Sequence, residues 1–132
     1  MNYLLDTHAF IWSVFDPDRL GKKTKLLLEN AENAIFVSVV SFWEISLKNA
    51  LGKLELVNVN PDSFPDIAKE LEFEVLPLAP GEAASFYQLP RTGPKDPFDR
   101  MIIWQAIRQK LTLLSRDKAL KVYKEFGLKV IW

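Results

Sequence analysis

A chain of 132 residues that is 48% apolar and 26% charged has the make-up of one ordinary globular domain, able to bury roughly two-thirds of its unfolded surface. It has no cysteine, which excludes disulfides, thiolate metal sites and thiol nucleophiles. No apolar run approaches the ~20 residues that span a bilayer. No basic segment precedes an apolar one at the N-terminus, so no secretion signal is evident and the cytoplasm is the expected location. The formal charge is zero but unevenly spread: residues 91–132 carry ten Lys and Arg against four Asp and Glu, residues 1–90 seven against thirteen. A basic C-terminal third suits a polyanionic partner. Solvated helix faces are the rival account, because Lys118, Lys121 and Lys124 recur at helical spacing.

Tyr3-Leu4-Leu5 predicts a short buried strand that stops at Asp6, with Thr7 and His8 leading into an apolar helix from Ala9 that ends before Asp16-Pro17. An acid at that junction lies at the carboxyl edge of an α/β sheet, where such folds hold ligands, or simply caps the helix. Residues 21–34 predict an amphipathic helix with Leu20, Leu27, Leu28 and Ala31 inward. Ile35-Phe36-Val37 predicts the next strand, and Ser38 the N-cap of a helix from Val39 to Ala50. Glu44 falls on the apolar line Val40–Glu44–Leu47–Leu51. A carboxylate on such a face must be paired, neutralised or bound to a cation. Alternatively the helix starts at Ser41 and Ser41-x-x-Glu44 is a capping box.

After Gly52 an extended connector leads to a short helix over 61–71. Phe73–Leu76 is the third strand, and a helix starts near Pro80. Residues 89–97 hold three prolines and a glycine and form a loop. In the following stretch Asp96 is an N-cap, Pro97 the first helical residue and Asp99 the third, beside the positive end of the helix dipole. From Phe98 to Leu111 apolar residues occur on every face, which predicts a largely buried helix. Leu111–Leu114 predicts a strand that exits at Ser115-Arg116-Asp117. A basic amphipathic helix, 118–126, follows, with Leu120 and Tyr123 inward, and residues 128–131 form a last edge strand. Short apolar strands alternating with helices predict an α/β fold: three layers, α/β/α, around a mainly parallel sheet of four or five strands. No repeat or linker divides residues 1–132, so a single domain is expected.

Four acids stand out: Asp6, Glu44, Asp99 and Asp117. With parallel strands, Asp6 and Asp117 leave the sheet at one edge, and the helix that carries Asp99 starts there. Crowded carboxylates raise one another's pKa unless a cation neutralises them. Hard divalent ions, Mg²⁺ or Mn²⁺, one or two of them, suit an all-oxygen donor set, and such ions suit phosphodiester hydrolysis. His8, the one histidine, fits a packing role better than a catalytic one. A phosphate-binding glycine loop, a dinucleotide fingerprint and a Ser/His/Asp arrangement are absent.

The runs Leu4-Leu5-Asp6-Thr7-His8-Ala9-Phe10-Ile11-Trp12, Glu44-Ile45-Ser46 with Leu51-Gly52-Lys53-Leu54, Asp96-Pro97-Phe98-Asp99-Arg100 and Leu114-Ser115-Arg116-Asp117 together resemble a PIN domain, most closely the VapC toxins of toxin–antitoxin pairs. The resemblance covers essentially the whole chain, with the motifs in family order. It implies a Mg²⁺- or Mn²⁺-dependent endoribonuclease silenced by a cognate antitoxin, and a homodimer. It carries the family's metal-holding, catalytic acids onto Asp6, Glu44, Asp99 and Asp117. Thr7 and Ser115 match hydroxyl positions near the metal, and Arg100 the basic residue after the third acid. Asp96 is chiefly a helix cap by the capping argument. Lys95, Arg100, Arg116 and Lys118 form the expected approach for RNA phosphates. The helix around Trp43 and the segment 51–65 form the expected antitoxin groove. The rival accounts are a housekeeping nuclease of the same family, an Asp-based phosphatase or phosphoacceptor, and a non-catalytic binding module. The dehalogenase-like phosphatases need an Asp two positions after the first, and His8 stands there.

Overall fold

The computed structural model describes residues 1–132. Its centre is a sheet of five strands: β1 (Asn2–Leu5), β2 (Ala34–Ser38), β3 (Glu74–Leu76), β4 (Thr112–Leu114) and β5 (Lys129–Ile131). Their order is β3-β2-β1-β4-β5, and every pairing is parallel. The helices are α1 (Thr7–Phe15), α2 (Lys22–Glu29), α3 (Val39–Ala50), α4 (Phe64–Glu70), α5 (Pro80–Ser85) and α6 (Pro97–Gln109). The expected α/β fold with a mainly parallel sheet is what forms, with all five strands parallel.

The central strand shows why the sheet is buried on both sides. Along β1 successive side chains alternate faces: Leu4 joins Leu113, Ile102, Ile103 and Tyr123 on one side, while Tyr3 and Leu5 join Ile35, Val37, Phe10 and Phe64 on the other. Leu4 and Leu5 are both fully buried, each contributing about 1.5–3 kcal/mol relative to exposure. Such a strand must be apolar at consecutive positions, as Tyr3-Leu4-Leu5 is.

The chain runs β1-β2-β3 towards one edge and then returns to place β4 and β5 on the other side of β1. The direction therefore reverses between β1 and β4, which is where open α/β sheets hold ligands at their carboxyl ends. Asp6 follows β1 and Ser115 follows β4, and the Asp6 N–H donates to the Leu114 carbonyl at 3.1 Å. The two exits are thereby locked side by side.

Three local expectations change. The segment 118–126 winds as a 3₁₀-helix, not an α-helix; Leu120 and Tyr123 are buried, and their three-residue spacing suits three residues per turn. α2 stops at Glu29 and a turn follows, held by Asn33 Nδ2 donating to the Leu27 carbonyl, which leaves Ala31 exposed. On α3 the line Val40–Glu44 is buried, but Leu47 and Leu51 are 39% and 59% exposed. The face that carries Leu47 and Leu51 thus turns towards solvent, and Trp43 is exposed as well.

Candidate metal centre

Asp6 accepts a hydrogen bond from the Ala9 N–H at 2.8 Å, so it caps α1 and sits at the sheet's carboxyl edge. α3 begins at Val39, with the Ser38 hydroxyl accepting from the Val40 N–H at 3.0 Å. Glu44 is therefore a mid-helix residue on the buried face, 2% exposed, and no capping box forms at Ser41. Ser41 meets the Thr7 hydroxyl at 2.9 Å instead, which ties α3 to the start of α1.

At α6 the Asp96 Oδ1 accepts from the N–H groups of Phe98 and Asp99 at 2.8 and 3.1 Å. Its other oxygen, Oδ2, lies 3.7 Å from the Lys48 ammonium. The cap role expected of Asp96 uses only half of the carboxylate. Glu44, Asp96 and Asp99 each offer an oxygen within 4.8 Å of the others. Sequence reasoning placed Asp96 at the margin of this group, and the structure puts it inside.

Lys48 completes the cluster, one turn after Glu44 on α3. Its ammonium donates to Glu44 Oε2 and hangs near Asp96. Burial alone would lower its pKa, but the Glu44 hydrogen bond and the charges of Glu44, Asp96 and Asp99 outweigh that and hold it above the ordinary lysine value. This residue was not anticipated. The signal was available, since Glu and Lys four apart share a helix face.

The carboxyl groups carry the strain of crowding. Burial, then the charges of Asp96, Glu44 and Asp6, push Asp99 up to about 7, against the opposing pull of Lys48. Burial also raises Asp6, outweighing the stabilising hydroxyl of Ser115 and the Ala9 N–H. Glu44 Oε1 is buried and has no hydrogen-bond partner. A buried carboxylate oxygen without a donor is costly, and an all-oxygen donor set of this kind fits a hard divalent cation.

The other expected residues fall around this centre. Ser115 is buried beside Asp6 and accepts from the Asp117 N–H at 3.1 Å. Asp117 is exposed, caps the 3₁₀-helix through the Ala119 N–H at 2.9 Å, and, like Asp6, stays outside the three-carboxylate group. It does line the same cleft, of about 680 Å³, as Asp6 and Asp99, with Arg116 and Lys118 on its rim. Lys95 is exposed in the loop before α6. Arg100 corrects the sequence reading. Its guanidinium donates to the carbonyls of Leu89 and Pro90 and to the Tyr123 hydroxyl at 3.0–3.1 Å, so it anchors the proline-rich loop to the core and does not face an RNA approach. A second cleft, reaching Glu44 and Lys48, shares His8, Trp12 and Arg19 with the first. Trp12 and Arg19 were missed, because Arg19 sits on a short 3₁₀ turn where no periodicity marks it.

The PIN domain family profile matches residues 3–125. Ribonuclease VapC22 of Mycobacterium tuberculosis is 25% identical over 129 residues, covering 98% of this chain and 97% of that protein. Among solved structures, VapBC2 from Rickettsia felis bound to a promoter DNA fragment aligns with TM-score 0.66 at 18% identity, over 99% of this chain and 98% of the matched one. FitAcB from Neisseria gonorrhoeae aligns with TM-score 0.62 at 21% identity, over 100% and 97%. These structural likenesses are likenesses of fold.

Proposed function

This chain belongs to the PIN domain family, and from that premise we propose that it is one metal-dependent endoribonuclease domain over residues 1–132, the toxin of a toxin–antitoxin pair. The observation that carries the reading is the carboxylate group of Glu44, Asp96 and Asp99 with the buried, unpartnered Glu44 Oε1, set at the switch point of the sheet beside Asp6. The similarity to Ribonuclease VapC22 directs the chemistry to RNA. The toxin–antitoxin assignment rests on that relative and on the fold shared with the VapBC and FitAB complexes.

Asp6, Glu44 and Asp99 hold Mg²⁺ or Mn²⁺, with Asp96 completing the group and Asp117 lining the same cleft at its rim. When bound, the cation acidifies water and stabilises charge on the phosphate. The chain's own residues set the stage. The N-terminus of α6 adds its positive dipole end to the site, Thr7 and Ser41 brace α1 against α3, and Ser115 steadies Asp6. Lys48 offsets one negative charge at Glu44. Arg116 and Lys118, on the cleft rim, and Lys95 receive RNA phosphates. The antitoxin covers the exposed apolar strip of Trp43, Leu51 and Val57, and a homodimer working in the cytoplasm completes the reading. No helix is long and apolar enough to cross a membrane.

Purified protein incubated with RNA and Mg²⁺ or Mn²⁺ should cleave internally, and chelator should stop it. Cleavage that persists in chelator, or none with either metal, would overturn the metal-nuclease reading. Expression of the chain alone should arrest growth, and co-expression of the neighbouring small gene should relieve it. An active nuclease with no effect on growth would favour a housekeeping role.

A further inference from the structure

Two positive charges gather on the Trp12 ring. The Arg19 guanidinium stands 4.6 Å from its ring centroid and the Arg116 guanidinium 5.1 Å. The two therefore lie within about one Debye length of each other, ~10 Å at 0.1 M salt. They come from opposite ends of the chain, Arg19 from the turn after α1 and Arg116 from the exit of β4. Both are exposed, and no carboxylate pairs with either. Asp6, Asp99 and Asp117 line the same cleft and leave both guanidiniums unanswered. The indole itself is fixed. Trp132 packs edge-on against it at 5.8 Å and His8 tilts over it at 5.7 Å. Trp132 comes so near the backbone that a Cβ on Gly21 would lie 2.9 Å from its ring and push it aside.

Two like charges gathered on one aromatic ring repel each other weakly in water, and cation–π attraction to the indole holds both in place. A guanidinium stacked on a ring keeps its N–H edges free for a planar, bidentate acceptor. An anion between the two would remove the repulsion and use those donors. We propose that Arg19 and Arg116, mounted on Trp12, are a phosphate clamp that holds the RNA strand beside the acidic centre and fixes which phosphodiester enters it. Within one cleft the acids repel the backbone and the clamp attracts it. A strand in this cleft is thereby directed as well as bound. This proposal rests on the ribonuclease reading.

The test uses the full chain carrying Asp99→Asn, so that RNA binds without being cut, and a labelled RNA hairpin with a single-stranded loop as probe. Adding Arg19→Ala and Arg116→Ala together should weaken binding by roughly 10- to 100-fold. It should also make the plot of log affinity against log salt shallower by about 1.4, two contacts at about 0.7 each for single-stranded RNA. Lysine at both positions should recover the salt slope but only part of the affinity, because the charge returns without the fork. A far-ultraviolet circular dichroism spectrum and a cooperative melt like those of the background would confirm that the variants fold. Binding equal to the Asp99→Asn background would overturn the clamp alone. No binding by that background would overturn both the clamp and the ribonuclease reading.

Discussion

Two stretches of this protein begin the same way and end up with different chemistry. At Asp96–Asp99 and at Asp117 an aspartate follows a loop, accepts backbone N–H bonds and starts a helix at the carboxyl edge of one sheet. At α6 the helix start is packed against α3, so Glu44, Lys48 and Asp6 surround it. Asp99 is half-buried, with its carboxyl pushed up to about 7 by burial and by its neighbours. Asp117 caps an exposed 3₁₀-helix and stands apart from the carboxylate group. Capping is a local property of sequence. Whether a capping acid also becomes part of a cation site depends on which other acids the fold places against it.

The largest effect should come from Asp99→Asn, which is expected to abolish RNA cleavage. In metal-free protein at pH 8 the same change should raise the melting temperature, because it removes a charge forced into a crowd of like charges. A variant that cleaves normally would remove Asp99 from the site. Lys48→Met should act in the opposite direction on stability. It leaves Glu44 buried with an uncompensated charge, at a cost of about 1–3 kcal/mol, below the 3–5 kcal/mol of a fully buried pair because Lys48 is partly exposed. Urea denaturation without metal measures it, and an unchanged midpoint would show that the pair contributes nothing.

The difference between the two stretches can also be followed by pH. Folded Asp99 titrates at about 7 against an unperturbed 3.8, so between those values the native state holds a proton that the unfolded chain has released. Stability of the metal-free protein should therefore fall as pH rises through that window. Added Mg²⁺ should flatten the fall, and the Asp99→Asn variant should lack it. A metal-free protein whose melting temperature rises from pH 4 to pH 7 would contradict this. The smallest change is expected at Asp117→Ala. Loss of the cap should lower stability by about 1 kcal/mol and leave most of the cleavage rate. A collapse of activity matching that of Asp99→Asn would instead make the rim acid an equal of the buried ones.

Much of the fold was legible because its signals are local. The consecutive apolar residues of β1, the Asp96-Pro97 cap and the mid-helix position of Glu44 can each be read from a few neighbouring residues. What escaped was set by distance in sequence. Arg100 looked available for RNA and is held by Leu89, Pro90 and Tyr123. Gln105, on a helix read as largely apolar, is buried and joins the Ser38 hydroxyl at the end of β2 to the Pro77 carbonyl just beyond β3. Arg19 and Arg116 meet on one tryptophan although 97 positions separate them.

By itself the sequence determined the elements, their alternation and the acids that end strands or begin helices, because periodicity and capping act within one or two turns. Only the tertiary structure decided that Asp96 joins Glu44 and Asp99, that Lys48 lies among them and that Asp117 stays at the rim. Those outcomes depend on burial and on charges a few ångströms apart, and it is the packing of α3 against α6 at the sheet's edge that sets both.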